Sequence, residues 1–161
     1  MEHQKKSQIY GQVFIYILSL FLVSFILVYG YKAIANFKNE QEKISCLKFN
    51  NDLKNAIQSI SGDFGSVKIK NFQLCSLYTQ VCFVEDFETP VIPAKTDPII
   101  KDSIASNTGM NVFLVEDIAK DSFYAGKISV EPDVLCIRAV EGKVNLRLEG
   151  EGNHVAISQS T

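Results

Sequence analysis

VFIYILSLFLVSFILVYGY, from Val13 to Tyr31, is a run of 19 residues with no charge and no proline, interrupted only by Ser19, Ser24 and Gly30. At about 1.5 Å of rise per residue, such a helix reaches roughly 28 Å, close to the hydrocarbon thickness of a bilayer. A helix buried in a soluble protein of this size carries a polar face, whereas this one is apolar all round. It therefore reads as a transmembrane helix. Tyr10, Tyr16, Tyr29 and Tyr31 fall toward its two ends, where amphipathic rings settle at headgroup level. Lys5 and Lys6 bound it on one side and Lys32 on the other.

Just beyond this run, Ala33-Ile34-Ala35 has the small-x-small form of a signal-peptidase site. Signal peptides carry an apolar stretch of about 7 to 15 residues. The run here is longer, and Lys32 separates it from the alanines, so a retained anchor is expected. Orientation rests on opposing signals. Lys32, Lys38, Lys43 and Lys48 follow the span while only Lys5 and Lys6 precede it, a count that places the C-terminal side in the cytoplasm. Against this, the N-terminal tail is short and compactly basic, all four cysteines follow the span, and long domains translocate largely regardless of charge. The expected organisation is a basic cytoplasmic tail over residues 1–8, an anchor helix over 9–34 and an extracytoplasmic head over 35–161.

With 161 residues, the chain accommodates one domain beside the anchor. From Ala35 onward it has 13 Lys or Arg against 17 Asp or Glu, about −4 in net charge. Nucleic-acid binding draws on clustered basic residues, so nucleic acid is not an expected partner. The head's cysteines, Cys46, Cys75, Cys82 and Cys136, form an even set. In an oxidising compartment two disulfides would each contribute a few kcal/mol to so small a domain. Four cysteines allow three pairings, and sequence does not choose among them. The arrangement expected first joins Cys75 to Cys82, closing a short loop between neighbouring strands, and Cys46 to Cys136, tying the helix to the sheet. A zinc site is disfavoured, because there is neither a Cys-x-x-Cys pair nor a histidine cluster. Free thiols are the expectation if the topology is inverted.

Asn36 to Ile60 reads as a helix ended by Ser61-Gly62, with Ile44, Leu47, Leu53, Ile57 and Ile60 on one apolar face. No Pro or Gly-rich break divides Tyr31 from Glu40, so the anchor is expected to continue into it. Strands are predicted over 66–72, 80–85, 111–116, 124–130, 134–140 and 143–149, with Glu141-Gly142 as a hairpin turn and Glu131-Pro132-Asp133 as a connector. Asp97-Pro98 is the N-cap and first position of a short helix reaching about Ser106. Residues 88–98 read as a loop over the sheet, and GEGNHVAISQST at the C-terminus as a loose tail. The resulting class is α+β: a long N-terminal transmembrane helix, continued by an amphipathic one, packed on a small, mainly antiparallel sheet.

Signatures of common chemistries are missing. The chain has no Gly-x-Ser-x-Gly, His-Glu-x-x-His, phosphate loop or dinucleotide glycine pattern, which leaves no expected enzyme activity, cofactor or metal. His3 precedes the span, and His154 reads as a solvated tail histidine. The acidic pairs Glu85-Asp86 and Glu116-Asp117 mark strand exits more readily than a cation site. Residues 85–121 hold eight acids and three lysines, an acidic edge suited to basic partners.

Lys5-Lys6-Ser7-Gln8, followed almost at once by the apolar helix, resembles the class III signal of archaeal type IV pilin-like proteins. That resemblance covers about the first 31 residues and the general plan of a helix followed by a β-rich head. It implies cleavage between Ser7 and Gln8, with Gln8 as the new N-terminus. Gln12 stands where pilins commonly have a glutamate at the fifth mature position, and Tyr10 replaces a small polar third residue. The function expected is a non-enzymatic pilin-like envelope subunit. Phe14, Leu18, Phe21, Leu22, Phe25 and Leu27 would contact membrane lipid or the helices of other copies and pilin-like subunits. A stand-alone surface receptor or adhesion module is the second reading, and an anchored enzyme the third.

Overall fold

In the computed structural model, residues 3–85 and 92–160 are described, with the side chains of 3–11, 35, 36, 38 and 39 excepted. The described residues form an α+β arrangement, with two α-helices and eight β-strands among them. It divides into two compact units, Met1–Gln41 and Glu42–Thr161.

Helix α1 runs from His3 to Gln58 without a break. Within the first unit, Gln12–Ile34 forms 23 residues of mean hydropathy 2.5, long and apolar enough to cross a membrane. Its hydroxyls are satisfied locally: Ser19 Oγ donates to the Tyr16 carbonyl at 2.8 Å and Ser24 Oγ to that of Leu20 at 2.9 Å. In hydrocarbon no water could take that role, and this back-bonding would satisfy both hydroxyls there.

The second unit begins on the same helix with a different side-chain pattern. Cys46, Phe49, Leu53, Ala56 and Ile57, followed by Ile60 in the closing turn, recur every three or four residues and enter the main core. Ile44 and Leu47, expected on this face, are exposed, and Phe49 and Ala56 take their place. The buried stripe is thus rotated from the predicted one, with Leu53, Ile57 and Ile60 common to both.

Two four-stranded sheets complete the unit. The first has the order β1 (Val67–Gln73), β7 (Lys143–Gly150), β8 (Val155–Gln159), β5 (Ile128–Val130), antiparallel except for the β5–β8 pair. Its inward positions alternate along β7, where Val144, Leu146 and Leu148 are buried. The second sheet has the order β4 (Ala119–Phe123), β3 (Val112–Val115), β2 (Gln80–Val84), β6 (Val134–Arg138), all antiparallel. One of its faces, with Val81, Phe83, Val112, Leu114 and Ile137, joins the main core. The other, with Cys82, Val84, Phe113 and Val115, forms a smaller core beneath Ile100 of α2 (Pro98–Ala105).

Asp97 caps α2 as expected. Its Oδ1 accepts from the Ile99 amide at 2.8 Å, while Oδ2 accepts from the Ala119 amide at 3.0 Å and so ties the cap to β4. Glu141 and Gly142, both with positive φ, form the two-residue turn that carries the chain from β6 of the second sheet to β7 of the first.

Three expectations are corrected. The C-terminal dodecapeptide is not a loose tail. It contains β8, an interior strand of the first sheet with Val155 and Ile157 in the core. Of the strand predicted over 124–130 only Ile128–Val130, β5, is strand, while β4, Ala119–Phe123, was not predicted and belongs to the other sheet. The third correction concerns the cysteines. Cys46 bonds Cys75 and Cys82 bonds Cys136, with Cα separations of 4.9 and 4.0 Å. Cys75 and Cys82 do not flank neighbouring strands, because β1 and β2 lie in different sheets. Cys82 also points toward α2, away from the core that holds Cys75 and Cys46. Cys136 is instead its direct antiparallel partner across β2 and β6.

Candidate functional site

Two surfaces stand out among the described residues. The first is the apolar helix. Phe14, Leu18, Phe21, Leu22, Phe25 and Leu27 are between 50% and 66% exposed, and none of the Gln12–Ile34 window is buried by the chain itself. Phe25 and Tyr29, one turn apart, stack with ring centroids 6.1 Å apart. Exposed apolar residues dominate the whole circumference, whereas monomeric soluble proteins rarely expose contiguous apolar patches beyond a few hundred Å². The side chains of Ser7 and Gln8, at the expected processing point, lie outside the described residues.

The second surface is a groove of about 440 Å³ in the head. Its walls come from three distant segments: Lys54, Gln58 and Ser61 at the end of α1, Tyr124 and Lys127 in the β4–β5 loop, and Asn153 in the β7–β8 loop. Among the described residues, no carboxylate lines it. Lys54 Nζ lies 5.5 Å from the centroid of the Phe123 ring.

The β4–β5 wall is held from below by Asn111, the one buried polar side chain among the described residues. Its Oδ1 accepts from the Ala125 amide at 2.9 Å, and its Nδ2 donates to the Gly126 carbonyl at 2.6 Å. Both ends of the amide are thus spent on fixing two successive loop residues, and a buried amide so paired is rigid because releasing either bond strands a polar group. Gly126 has φ +117°, and a Cβ there would meet Ile57 Cγ2 at 3.1 Å. Glycine suits this position, since any other residue would be strained at that φ and would press on Ile57.

The acidic candidates are largely engaged in structure. Glu85 Oε2 accepts from the Val130 amide at 2.8 Å, linking β2 to β5. Glu116 pairs with Lys120 at the edge of the second sheet, and this hydrogen-bonded carboxylate raises the Lys120 pKa. Burial, reinforced by the charge of Asp121, raises the pKa of the neighbouring Tyr78. Asp86 lies outside the described residues. Among the described residues, no group of three or more His, Cys, Asp or Glu side chains is placed to hold a metal. His154 is not in a tail but in the β7–β8 loop, half-buried, with Nδ1 2.6 Å from Asn153 Oδ1.

Of the residues singled out by sequence, the six apolar helix positions share one exposed helix and the four cysteines form two bonds. The groove was not foreseeable from local pattern. Its only sequence trace is the isolated Tyr124-Ala-Gly-Lys127 between two apolar strands, a signal indistinguishable from an ordinary loop. No known protein family, characterised protein or solved structure matches this chain.

Proposed function

We propose that the chain is a membrane-anchored, non-enzymatic envelope protein with its N-terminus in the cytoplasm and its head outside, assembled through its N-terminal helix in the manner of a pilin-like subunit. The observation that carries this reading is the helix Gln12–Ile34, apolar on every side and uncovered by its own chain. Such a surface is stable only in lipid or against other apolar helices. Phe14, Leu18, Phe21, Leu22, Phe25 and Leu27 then face lipid before assembly and neighbouring helices after it. Two disulfides support an oxidising location for the head. The basic residues Lys5 and Lys6 before the helix support cleavage between Ser7 and Gln8.

The mass of the mature protein, taken from membranes with thiols alkylated before reduction, tests the proposal. The expected species begins at Gln8, keeps the helix and takes up no alkylating agent. A mature chain that begins after Ala35 would make the helix a removed signal sequence and end the anchor reading. Filaments lost on substitution of the helix residues, with the head still folded, would distinguish assembly from a stand-alone surface module.

A further inference from the structure

We propose that the Cys82–Cys136 bridge is a site of thiol–disulfide exchange, opened by a dithiol that attacks Cys136, while Cys46–Cys75 is a permanent structural tie. The inference concerns the head alone and holds whether or not the helix assembles.

The two bridges differ first in access. Cys75 is 1% exposed, and Cys46 is partly buried against the same main core, so that pair offers a reagent little room. In the other pair Cys82 is 2% exposed, but Cys136, on β6, is an exposed residue. Reactivity of sulfur toward a thiolate follows such access.

Direction of approach is the second difference. A thiolate attacks a disulfide in line with the S–S bond, from the side remote from the leaving sulfur. The cross-strand line from Cys82 to Cys136 runs from β2, an inner strand, to β6, the edge of the second sheet. Its continuation leaves the sheet with no further strand beyond β6 among the described residues. Continued the other way, the line meets Phe113 of β3, which lies directly opposite Cys82 and is 1% exposed. Attack is open at Cys136 and closed at Cys82.

The backbone supplies the third reason. The Ala139 amide donates to the Thr79 carbonyl and the Glu85 amide to that of Asp133. In this register Val81 with Ile137 and Phe83 with Leu135 are the hydrogen-bonded pairs, and Cys82 with Cys136 is a non-hydrogen-bonded pair between them. Opening the bridge therefore removes no rung of the ladder. The freed Cys82 thiol stays among Val84, Phe113 and Val115 beneath Ile100, where a thiol packs as a small apolar side chain and burial disfavours its thiolate. The reduced head keeps both sheets and holds a quiescent thiol at Cys82.

The exchange balances in two steps. One thiolate of the dithiol bonds to Cys136 Sγ as the Cys82–Cys136 bond breaks, and Cys82 leaves as a thiolate that takes a proton from water. The second thiolate of the dithiol then displaces Cys136, so the dithiol is oxidised by two electrons to its disulfide and the head is reduced to two thiols.

The test uses the full chain in detergent micelles, without denaturant, incubated with dithiothreitol, quenched at intervals with N-ethylmaleimide and mapped by peptide mass. Alkylation of Cys82 and Cys136 is expected to be at least roughly tenfold faster than that of Cys46 and Cys75. Reduced glutathione, a monothiol, is expected to leave its adduct on Cys136. The double substitution Cys82→Ala with Cys136→Ala should keep a cooperative thermal transition, lowered by roughly 10 °C. The proposal is overturned if Cys46–Cys75 opens as fast, if the glutathione adduct sits on any other cysteine, if both bridges open together at the rate of unfolding, or if the double variant shows no cooperative transition.

Discussion

Leu18 and Leu53 sit on one helix, α1, and have opposite fates: Leu18 is half exposed and Leu53 fully buried. Around Leu53 the chain supplies its own apolar environment, with Phe49, Ala56 and Ile57 beside it on the helix and two sheets contributing to the same core. Around Leu18 it supplies none. The difference shows that hydrophobicity alone does not place a residue in a core. In the head, polar positions between apolar ones leave a single stripe to bury, and the sheets have a face to meet it. In the apolar segment there is no polar side to turn outward and no apolar face of the described residues to meet it.

The most drastic way to break this comparison is to remove the head's means of closing its core. Deleting residues 155–161 takes Val155 and Ile157 from the core and strips β5 of β8, the strand it pairs with among the described residues. Loss of any cooperative unfolding transition, by circular dichroism or limited proteolysis, is expected. Next comes Leu53→Ala, which should cost about 3–4 kcal/mol in denaturant unfolding of the head. Leu18→Ala, the same chemical change on the same helix, should move that transition by less than about 0.5 kcal/mol. Equal effects would mean that the two leucines share one environment.

A charge in the apolar segment sharpens the contrast from the other side. Leu22→Arg should raise the cost of membrane insertion by about 3 kcal/mol and shift the protein out of the membrane fraction. The head's disulfides are expected to form only in molecules that still reach the oxidising side. The smallest effect is electrostatic and belongs to the head alone. Burial and the nearby Asp121 charge raise the pKa of Tyr78. A phenol with a raised folded-state pKa favours folding fully below its unfolded pKa, and that contribution fades as pH rises through the folded value. Head stability should therefore decline more steeply on the alkaline side in the wild-type chain than in Tyr78→Phe. Ultraviolet titration of the tyrosines alongside denaturant unfolding would reveal a matching slope in both proteins if Tyr78 is not responsible.

Local signals carried much of the fold. The Asp97-Pro98 cap marked α2 because capping is a two-residue event, and the apolar strands near 80–84, 112–115, 134–138 and 143–150 stood out by composition. What failed was non-local or sparsely coded. Strand β4, Ala-Lys-Asp-Ser-Phe, buries only its two ends, and β8 commits only Val155 and Ile157 inward, so neither shows a long apolar run. The choice between Ile44 and Phe49 on α1 depends on where the sheets sit, a question periodicity leaves open because several faces share Leu53, Ile57 and Ile60. Disulfide pairing failed for the same reason, since Cys82 and Cys136 meet only through the register of β2 and β6, 54 residues apart in sequence. The groove is the extreme case. Lys54, Lys127 and Asn153 approach one another only after both sheets and the helix have met, and the Asn111 that braces it looks, in sequence, like the polar start of an ordinary strand.

The place of β8 within its sheet also sets an order of events during synthesis. The strand that fills the gap between β7 and β5 follows both of them in sequence, so the first sheet stays open until β8 itself has been made. Until then β1, β5 and β7 lack the strand that joins them, and the segments made earlier cannot complete that half of the core.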